Sequence, residues 1–307
     1  MTLRRRVLST GQSMKPTPVP RVSIGLPLYN GEKFLVETIE SLLAQTYDDF
    51  ELIISDNAST DATPEICQDY TTKDSRIRYV RNSVNAGAAW NFNNTFHLSR
   101  GEYFKWAADD DLHHPQFIEK CVEVLDQVPS VVLCFTRTNF INEHGELLEE
   151  YKYPVEVSRA TRRELFRQYT GAAHVVHEVF GLIRANALQQ TSQIGGYVGS
   201  DLILLGKLAL LGEFHQIDDL FFLHREHDGR SAKQGAEEFT NWFDTSKTGR
   251  FVLPYWRCLF ENAKSVIGHP MGLKEKATIM WDLCRTAKWN RRTLTKEVRH
   301  LISRRPS

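Results

Sequence analysis

Val22-Ser23-Ile24-Gly25-Leu26, then Glu32 to Gln45 with Phe34, Leu35, Ile39, Leu42 and Leu43 on one stripe, then Leu52-Ile53-Ile54-Ser55, follow one another across short polar turns. An apolar run of strand length, a stripe at three- to four-residue spacing and a second apolar run read as β-α-β. Two parallel strands need such a crossover helix. The alternation continues outward with a helix near Pro64–Tyr70, a strand at Ile77–Arg81, a helix near Ala88–Leu98, a strand at Tyr103–Ala107, a helix at Pro115–Gln127 and a strand at Val131–Phe135. The expected fold class is therefore α/β, a doubly wound and mainly parallel sheet flanked by helices.

Further along, the pattern predicts a helix at Thr161–Tyr169, a strand at Val179–Ile183 and a packed helix from Asp201 to Leu211, interrupted by Lys207. After Gly229 the residues Trp242, Phe243, Phe251, Tyr255, Trp256, Leu259 and Phe260 recur at helical intervals, which predicts a C-terminal α-helical appendage. Residues 1–20, with Pro16, Pro18 and Pro20, carry no apolar period and read as a flexible leader. The expected division is 1–20 leader, 21–230 catalytic domain and 231–307 helical appendage with a basic end.

The 307 residues are 41% hydrophobic and 25% charged, which is ordinary for a globular chain and excludes neither a deep core nor a cleft. Thirty-eight basic residues balance 38 acidic ones, so no whole-molecule field calls for a nucleic-acid partner. Basic residues do cluster at the end, from Arg285 through Lys288, Arg291, Arg292, Lys296 and Arg299 to Arg304-Arg305. This is a solvated helix face or, with Leu294, Val298, Leu301 and Ile302 as its apolar side, a peripheral contact with an anionic membrane. Cys67, Cys121, Cys134, Cys258 and Cys284 are widely spaced and form no C-x-x-C pair, which fits reduced thiols in a cytoplasmic protein.

In open sheets of this kind ligands bind beyond the carboxyl ends of the strands. Four polar segments fall there: Pro27-Leu28-Tyr29-Asn30, Asp56 to Asp61, Asn82 to Gly87, and Asp109-Asp110-Asp111. Three successive carboxylates repel one another and resist desolvation unless a cation compensates them. Mg²⁺ or Mn²⁺ takes oxygen ligands and is often held by one or two carboxylates together with substrate phosphates. A solvated acidic turn leading into the helix near Pro115 is the other reading of the triplet. Asp56 either caps the helix that follows it or accepts a hydrogen bond from a base imide, as uracil and thymine offer.

The ordered series resembles glycosyltransferase family 2, whose catalytic domain has the GT-A fold. Val22 to Glu32 is similar to that family's opening strand and nucleotide loop, Ser41 to Tyr47 to its first helix end, and Ile54 to Asp61 to its base-recognition segment. Asn85-Ala86-Gly87 with Asn91 resembles the next loop, and Gly101-Glu102-Tyr103 leads into the acidic motif. Ile194-Gly195-Gly196-Tyr197 with Ser200-Asp201 resembles the acceptor-side segment, and Arg225-x-His227-x-Gly229 the closing one.

The resemblance implies a nucleoside pocket lined by Pro27, Tyr29, Asn30, Glu32 and Asp56, with Asn85 and Gly87 in the neighbouring loop. It implies that Asp109 faces the ribose or donor sugar, that Asp110 and Asp111 hold the metal, that His227 touches phosphate or metal, and that Asp201 is the general base. Two positions depart from the family pattern: Trp90 stands where an arginine is usual, and Ser200 where a glutamate is usual.

The implied activity is inverting transfer of a sugar from a nucleoside-diphosphate sugar, UDP or dTDP favoured, to an acceptor hydroxyl on a carbohydrate or glycolipid during polysaccharide or glycolipid assembly. A nucleotidyltransferase is the rival enzyme, but neither G-x-G-x-x-G nor G-x-x-x-x-G-K-[ST] occurs in the chain. A subunit that binds the nucleotide sugar without turnover is the rival from outside the enzymes.

Overall fold

The computed structural model describes residues 19–152, 157, 160–171, 176–228 and 253–303. The β-α-β start is as expected: β1 (Val22–Leu28), α1 (Leu35–Leu43) and β2 (Phe50–Asp56). There follow α2 (Thr63–Lys73), β3 (Ile77–Arg81), α3 (Ala88–His97), β4 (Tyr103–Trp106), the two-residue β5 (Leu112–His113), α4 (Phe117–Gln127), β6 (Val131–Ile141) and β7 (Leu147–Glu150). Next come α5 (Arg162–Gly171), β8 (Leu182–Arg184), α6 (Ala185–Gln189), α7 (Ser200–Leu211) and β9 (Glu213–Arg225). Three helices complete the described chain: α8 (Pro254–Gly268), α9 (Leu273–Trp289) and α10 (Arg291–Ser303).

The strands form one sheet in the order β3-β2-β1-β4-β8-β6-β9-β5, with β7 paired to β6. From β3 to β4 all pairing is parallel, with Leu28 opposite Asp56 and Asp56 opposite Arg81, so the polar segments that follow these strands share one edge. β8 is antiparallel to both neighbours, whereas β6 and β9 are parallel over most of their length. Helices cover both faces. Val22, Ile24, Leu26 and Leu28 pack with Leu35, Ile39 and Leu42 of α1, Cys67 of α2 and Phe117, Cys121 and Leu125 of α4. Phe104 and Trp106 pack on the other face with Phe96 of α3, Leu165 and Tyr169 of α5 and Leu204, Leu205 and Leu208 of α7. Alternation along a strand sends successive side chains to opposite faces, and each face is closed by its own helices.

Three sequence expectations change. Val179–Ile183 is not one strand: Glu178–Phe180 forms a 3-10 turn, and only Leu182–Arg184 joins the sheet. β6 runs six residues beyond the expected Phe135. β9, for which no strand was expected, is 13 residues long and pairs with β6 along the same length. Its pattern is broken because Asp218 and Asp219 bulge out of the ladder, Ile217 pairing with Thr136 and Leu220 with Arg137.

The described C-terminal helices dock on the domain through Phe166, Leu210, Val266, Ile279 and Leu283. Trp242, Phe243 and Phe251 of the expected appendage and residues 1–18 of the expected leader lie outside the described residues. Tyr255, Trp256, Leu259 and Phe260 fall on α8, as their spacing predicted. Cys67, Cys121 and Cys134 are buried, Cys258 is half-buried, Cys284 is exposed, and all five thiols are free.

Candidate active site

The loops after β1 and β2 interlock residue by residue. Asn30 donates its backbone N–H to Ser59 Oγ (2.9 Å) and accepts on Oδ1 from the Thr60 N–H (2.8 Å). Glu32 donates its N–H to Asp61 Oδ2 (3.1 Å) and accepts on Oε2 from the Ala62 N–H (2.8 Å), while Gly31 N–H donates to Thr63 Oγ1 (3.0 Å). Asn30 adopts φ 55°, a left-handed conformation that asparagine tolerates better than most residues. The side chains of Asn30 and Glu32 thus hold the two loops together. Pro27 lies in β1, and Tyr29 is exposed at its end.

Asp56 is fully buried, and its carboxylate accepts from the Ser59 N–H (2.8 Å), Tyr79 Oη (2.8 Å) and Arg81 Nε (3.1 Å). An ionised carboxylate offers roughly four acceptor positions, so three donors leave about one. Asn57 bridges to the third loop, donating to Asn85 Oδ1 (2.8 Å) and accepting from the Ala86 N–H (3.1 Å). Gly87, at φ 89° and ψ 157°, sits where only glycine is comfortable and turns the chain into α3. Asn91 is buried and donates to Ser55 O (2.8 Å) and Leu28 O (3.2 Å), tying α3 to the ends of β1 and β2. Trp90 beside it is half-exposed at the start of α3.

The acidic turn lies across this edge. Asp109 packs so closely on Gly31 that a Cβ there would stand 2.1 Å from Asp109 Oδ2. Asp109 and Asp110 are partly exposed, but protein surrounds them on most sides. That loss of water, reinforced by the charge of Asp110, pushes the Asp109 carboxyl up to about 8. Asp110 is also raised, by desolvation first and by Asp111 second, although a hydrogen bond with His227 opposes the rise. His227 Nε2 and Asp110 Oδ2 are 2.9 Å apart, and the imidazole packs on Phe34 with ring centroids 4.9 Å apart.

Asp111 points inward. Its Oδ1 accepts from the Arg225 N–H (2.9 Å) and stands 3.0 Å from His224 Nδ1, while Oδ2 has no hydrogen-bond partner among the described residues. Asp109, Asp110 and His227 keep some exposure, and of these the adjoining Asp110 and His227 fit a divalent cation of the Mg²⁺ or Mn²⁺ kind. The raised carboxyls are the state such a cation would relieve. Among the described residues no three His, Cys, Asp or Glu side chains converge as a closed cage. Such an open pair suits an ion that completes its shell with water and phosphate.

Arg225 fixes the geometry. It is fully buried and donates to Asp110 O (2.8 Å), Glu143 O (2.9 Å) and Glu37 Oε2 (2.7 Å), with its guanidinium 4.6 Å from the centre of the Phe34 ring. One side chain thereby joins β9, the acidic turn, the β6–β7 connection and α1. Lys105, buried in β4, donates to the carbonyls of Trp106 (3.0 Å) and Phe180 (2.8 Å) and lies 2.9 Å from His113 Nε2. Burial lowers Lys105 to about 7 and holds His113 well below its ordinary range. A lysine within the apolar run Tyr103–Ala107 was the sequence signal for this group; the burial of Arg225 had no local signal.

Asp201 lies in the first turn of α7, half-buried, with Oδ1 accepting from the Leu202 N–H (2.8 Å). Ser200 is buried, so the position where the family pattern has glutamate faces inward. Close to Asp201 is Glu178, a residue not singled out by the sequence. Burial raises its carboxyl to about 7, the Asp201 charge adds to the rise, and Tyr169 Oη donates to Oε1 (3.1 Å). A cavity of about 670 Å³ lies at the opposite end of the sheet, lined by Arg100, Glu102 and Arg184. Arg100 is engaged by Glu51, and Arg184 by the carbonyls of Leu125 and Val131, so the cavity has no arginine left for a ligand.

The model of the family "Glycosyl transferase family 2" matches residues 23–191. A glycosyltransferase of Methanocaldococcus jannaschii is 32% identical over 152 residues, covering 49% of this chain and 52% of its own length. Chondroitin synthase of Escherichia coli is 30% identical over 217 residues, 68% of this chain but 30% of the synthase. The chain thus spans about half, or less, of the curated relatives it matches. Among solved structures, Staphylococcus aureus TarS 1–349 in complex with UDP-GlcNAc superposes with a TM-score of 0.66 at 16% identity, covering 87% of this chain and 72% of that one. The mannosyltransferase PcManGT of Pyrobaculum calidifontis, in complex with GDP-Man and Mn²⁺, gives 0.53 at 17% identity, covering 92% and 85%. These two speak for a shared GT-A-type fold. With the family match running over more than half of its 307 residues, the chain belongs to glycosyl transferase family 2.

Proposed function

We propose that this protein transfers a sugar, with inversion, from a nucleoside-diphosphate sugar to an acceptor hydroxyl. The observation that carries the reading is the pair of under-compensated carboxyls, Asp109 and Asp110, beside His227 at the edge where three interlocked loops meet. Such a site favours a ligand that arrives with a cation and a diphosphate. TarS with UDP-GlcNAc and PcManGT with GDP-Man and Mn²⁺ support that ligand class by their shared fold.

In this reading Asp110 and His227 hold Mg²⁺ or Mn²⁺, and Asp109 faces the ribose or donor sugar. Asp111 acts from behind, fixing the end of β9 that carries His227. The bound cation would supply Lewis-acid stabilisation of the charge that develops on the leaving diphosphate. Asp56, wholly buried beneath Tyr79 and Arg81, would reach a base imide, as UDP or dTDP offers, only once the half-exposed Arg81 side chain swings aside; Asn30 and Glu32 shape the pocket by locking its loops. Asp201 takes the acceptor proton as the hydroxyl oxygen bonds to the anomeric carbon and the bond to the diphosphate oxygen breaks on the opposite face. A positioned base of this kind contributes about 10²–10⁴-fold.

The likeness to chondroitin synthase supports a carbohydrate or glycolipid acceptor in polymer or glycolipid assembly. The free thiols fit a reducing, cytoplasmic compartment. Calorimetric titration of UDP, dTDP, GDP and CDP, with and without Mn²⁺, into the wild type and Asp110→Ala tests the site. Metal-dependent binding of one nucleotide, lost in the variant, is expected; no binding of any nucleotide would overturn the reading.

A further inference from the structure

The C-terminal helices expose what a globular chain normally buries. On α9, Trp281 and Trp289 are 69% and 80% exposed, although tryptophan is among the most buried residues on average. Helical spacing puts Arg285 and Lys288, four and seven residues beyond Trp281, on the same face, and both are exposed. Exposed Arg291 and Arg292 follow at once in α10. On α8, Trp256, Phe260, Lys264 and Ile267 form a second exposed stripe with the same mixed character.

The acids of α9 and α10 are each engaged by a neighbouring helix. Leu273–Ser303 holds eight lysines and arginines against three acids. Glu275 pairs with Arg162 of α5 (3.1 Å), Asp282 with Arg163 of α5 (2.6 Å), and Glu297 accepts from the Tyr255 and Trp256 N–H groups at the start of α8 (3.1 and 3.3 Å). Asp282 is thus buried, and Glu275 and Glu297, though partly exposed, are engaged by α5 and α8, so the remaining outward side is indole and cation. The sequence suggested an apolar side made by Leu294, Val298, Leu301 and Ile302. Leu294 is buried, with its carbonyl accepting from Trp256 Nε1 (3.1 Å), whereas Val298, Leu301 and Ile302 are exposed on α10.

We propose that the outer face of α9, centred on Trp281, Arg285, Lys288 and Trp289, docks the protein on an anionic lipid surface. Indole rings favour the headgroup region, where an apolar body and a polar N–H are both accommodated. Each nearby Lys or Arg strengthens partition onto an anionic leaflet by about fivefold. Among the described residues no helix is long and apolar enough to cross a membrane, so the contact is peripheral. A nucleic-acid duplex is the less favoured occupant, because its phosphates would meet the cations but leave the Trp281 and Trp289 indoles without the apolar layer that a bilayer offers. This surface is separate from the candidate donor site, so either proposal can fail without the other.

The test is flotation of the full chain with phosphatidylcholine vesicles, with and without phosphatidylglycerol, at low and high salt. Variants are Arg285→Glu with Lys288→Glu and, separately, Trp281→Ser with Trp289→Ser, with circular dichroism and thermal unfolding showing that each is folded. The wild type is expected to float only with anionic vesicles and to be released by salt. Charge reversal should weaken partition by about tenfold or more, given the contribution of each cation. The tryptophan pair should weaken it at both salt concentrations. Absence of wild-type binding, or binding untouched by both double variants, would overturn the proposal. So would retention on single-stranded nucleic acid without vesicle binding, or a wild-type dimer that Trp281→Ser with Trp289→Ser dissociates; the latter would assign the face to a second copy.

Discussion

Two carboxylate groups lie at opposite ends of the same parallel strands, and the sheet treats them in opposite ways. Glu51, near the start of β2, is buried and accepts from Ser23 Oγ, the Arg100 N–H and the guanidinium groups of Arg78 and Arg100. Burial opposes its charge, but Arg100, Arg78 and Ser23 together outweigh that penalty and hold Glu51 below the usual carboxylate range. Asp109 and Asp110, beyond the end of β4, are raised because burial and mutual repulsion outweigh the help from His227. A carboxylate supplied with its own arginines serves the fold. A pair left short of positive charge is suited to an incoming ligand that brings it.

The contrast is broken most sharply at Asp110. Asp110→Asn should abolish Mn²⁺-dependent nucleotide binding in calorimetry while leaving thermal stability unchanged or raised, since it removes a repelling charge. Retained metal-dependent binding would move the cation elsewhere. Asp201→Asn is next: transfer should fall by about 10²–10⁴-fold with nucleotide affinity unchanged, the range expected of a lost general base. A parallel loss of nucleotide affinity would place Asp201 in donor binding.

Glu51→Gln probes the other end. It should lower unfolding free energy by about 1–3 kcal/mol, measured in denaturant, because the buried hydrogen bonds lose their charge. Arg78 and Arg100 are partly exposed and can rehydrate, which favours the lower part of that range. Nucleotide affinity should not change.

The smallest effect is one of sign, read from stability against pH with a chelator present. Glu51 has a depressed folded value, so its contribution is present above the ordinary 4.5 and is lost as pH falls through the folded value. Asp109 is raised from 3.8 to about 8, so the folded state binds the proton more tightly and stability declines as pH rises across that interval. Asp109→Asn should therefore raise the melting temperature more at pH 8 than at pH 5, flattening the decline. Glu51→Gln should remove part of the acid-side loss instead.

Ile77–Arg81 and the β-α-β start from Val22 were readable because apolar periodicity reports which face of an element is covered, and covering is local. The polar segments after the strands were readable for the same reason: once the strands are parallel, their carboxyl ends share an edge. β9 was not readable, because Asp218 and Asp219 interrupt its alternation and only pairing with β6 reveals them as a bulge. Asn30, Glu32 and Asp56 look alike in sequence whether they meet a ligand or one another; the interlocked loops show how much of their bonding serves the protein.

The sequence by itself therefore determined the α/β class, the edge that carries the polar segments and the acidic turn upon it. Tertiary structure alone decided which carboxyls face outward, that Arg225 is buried against Glu37, 188 positions away, and that α9 pairs its acids with α5 and turns its tryptophans out. The physical reason is range. Side-chain periodicity is written within a few residues, whereas desolvation and charge compensation depend on whatever distant groups the fold brings alongside.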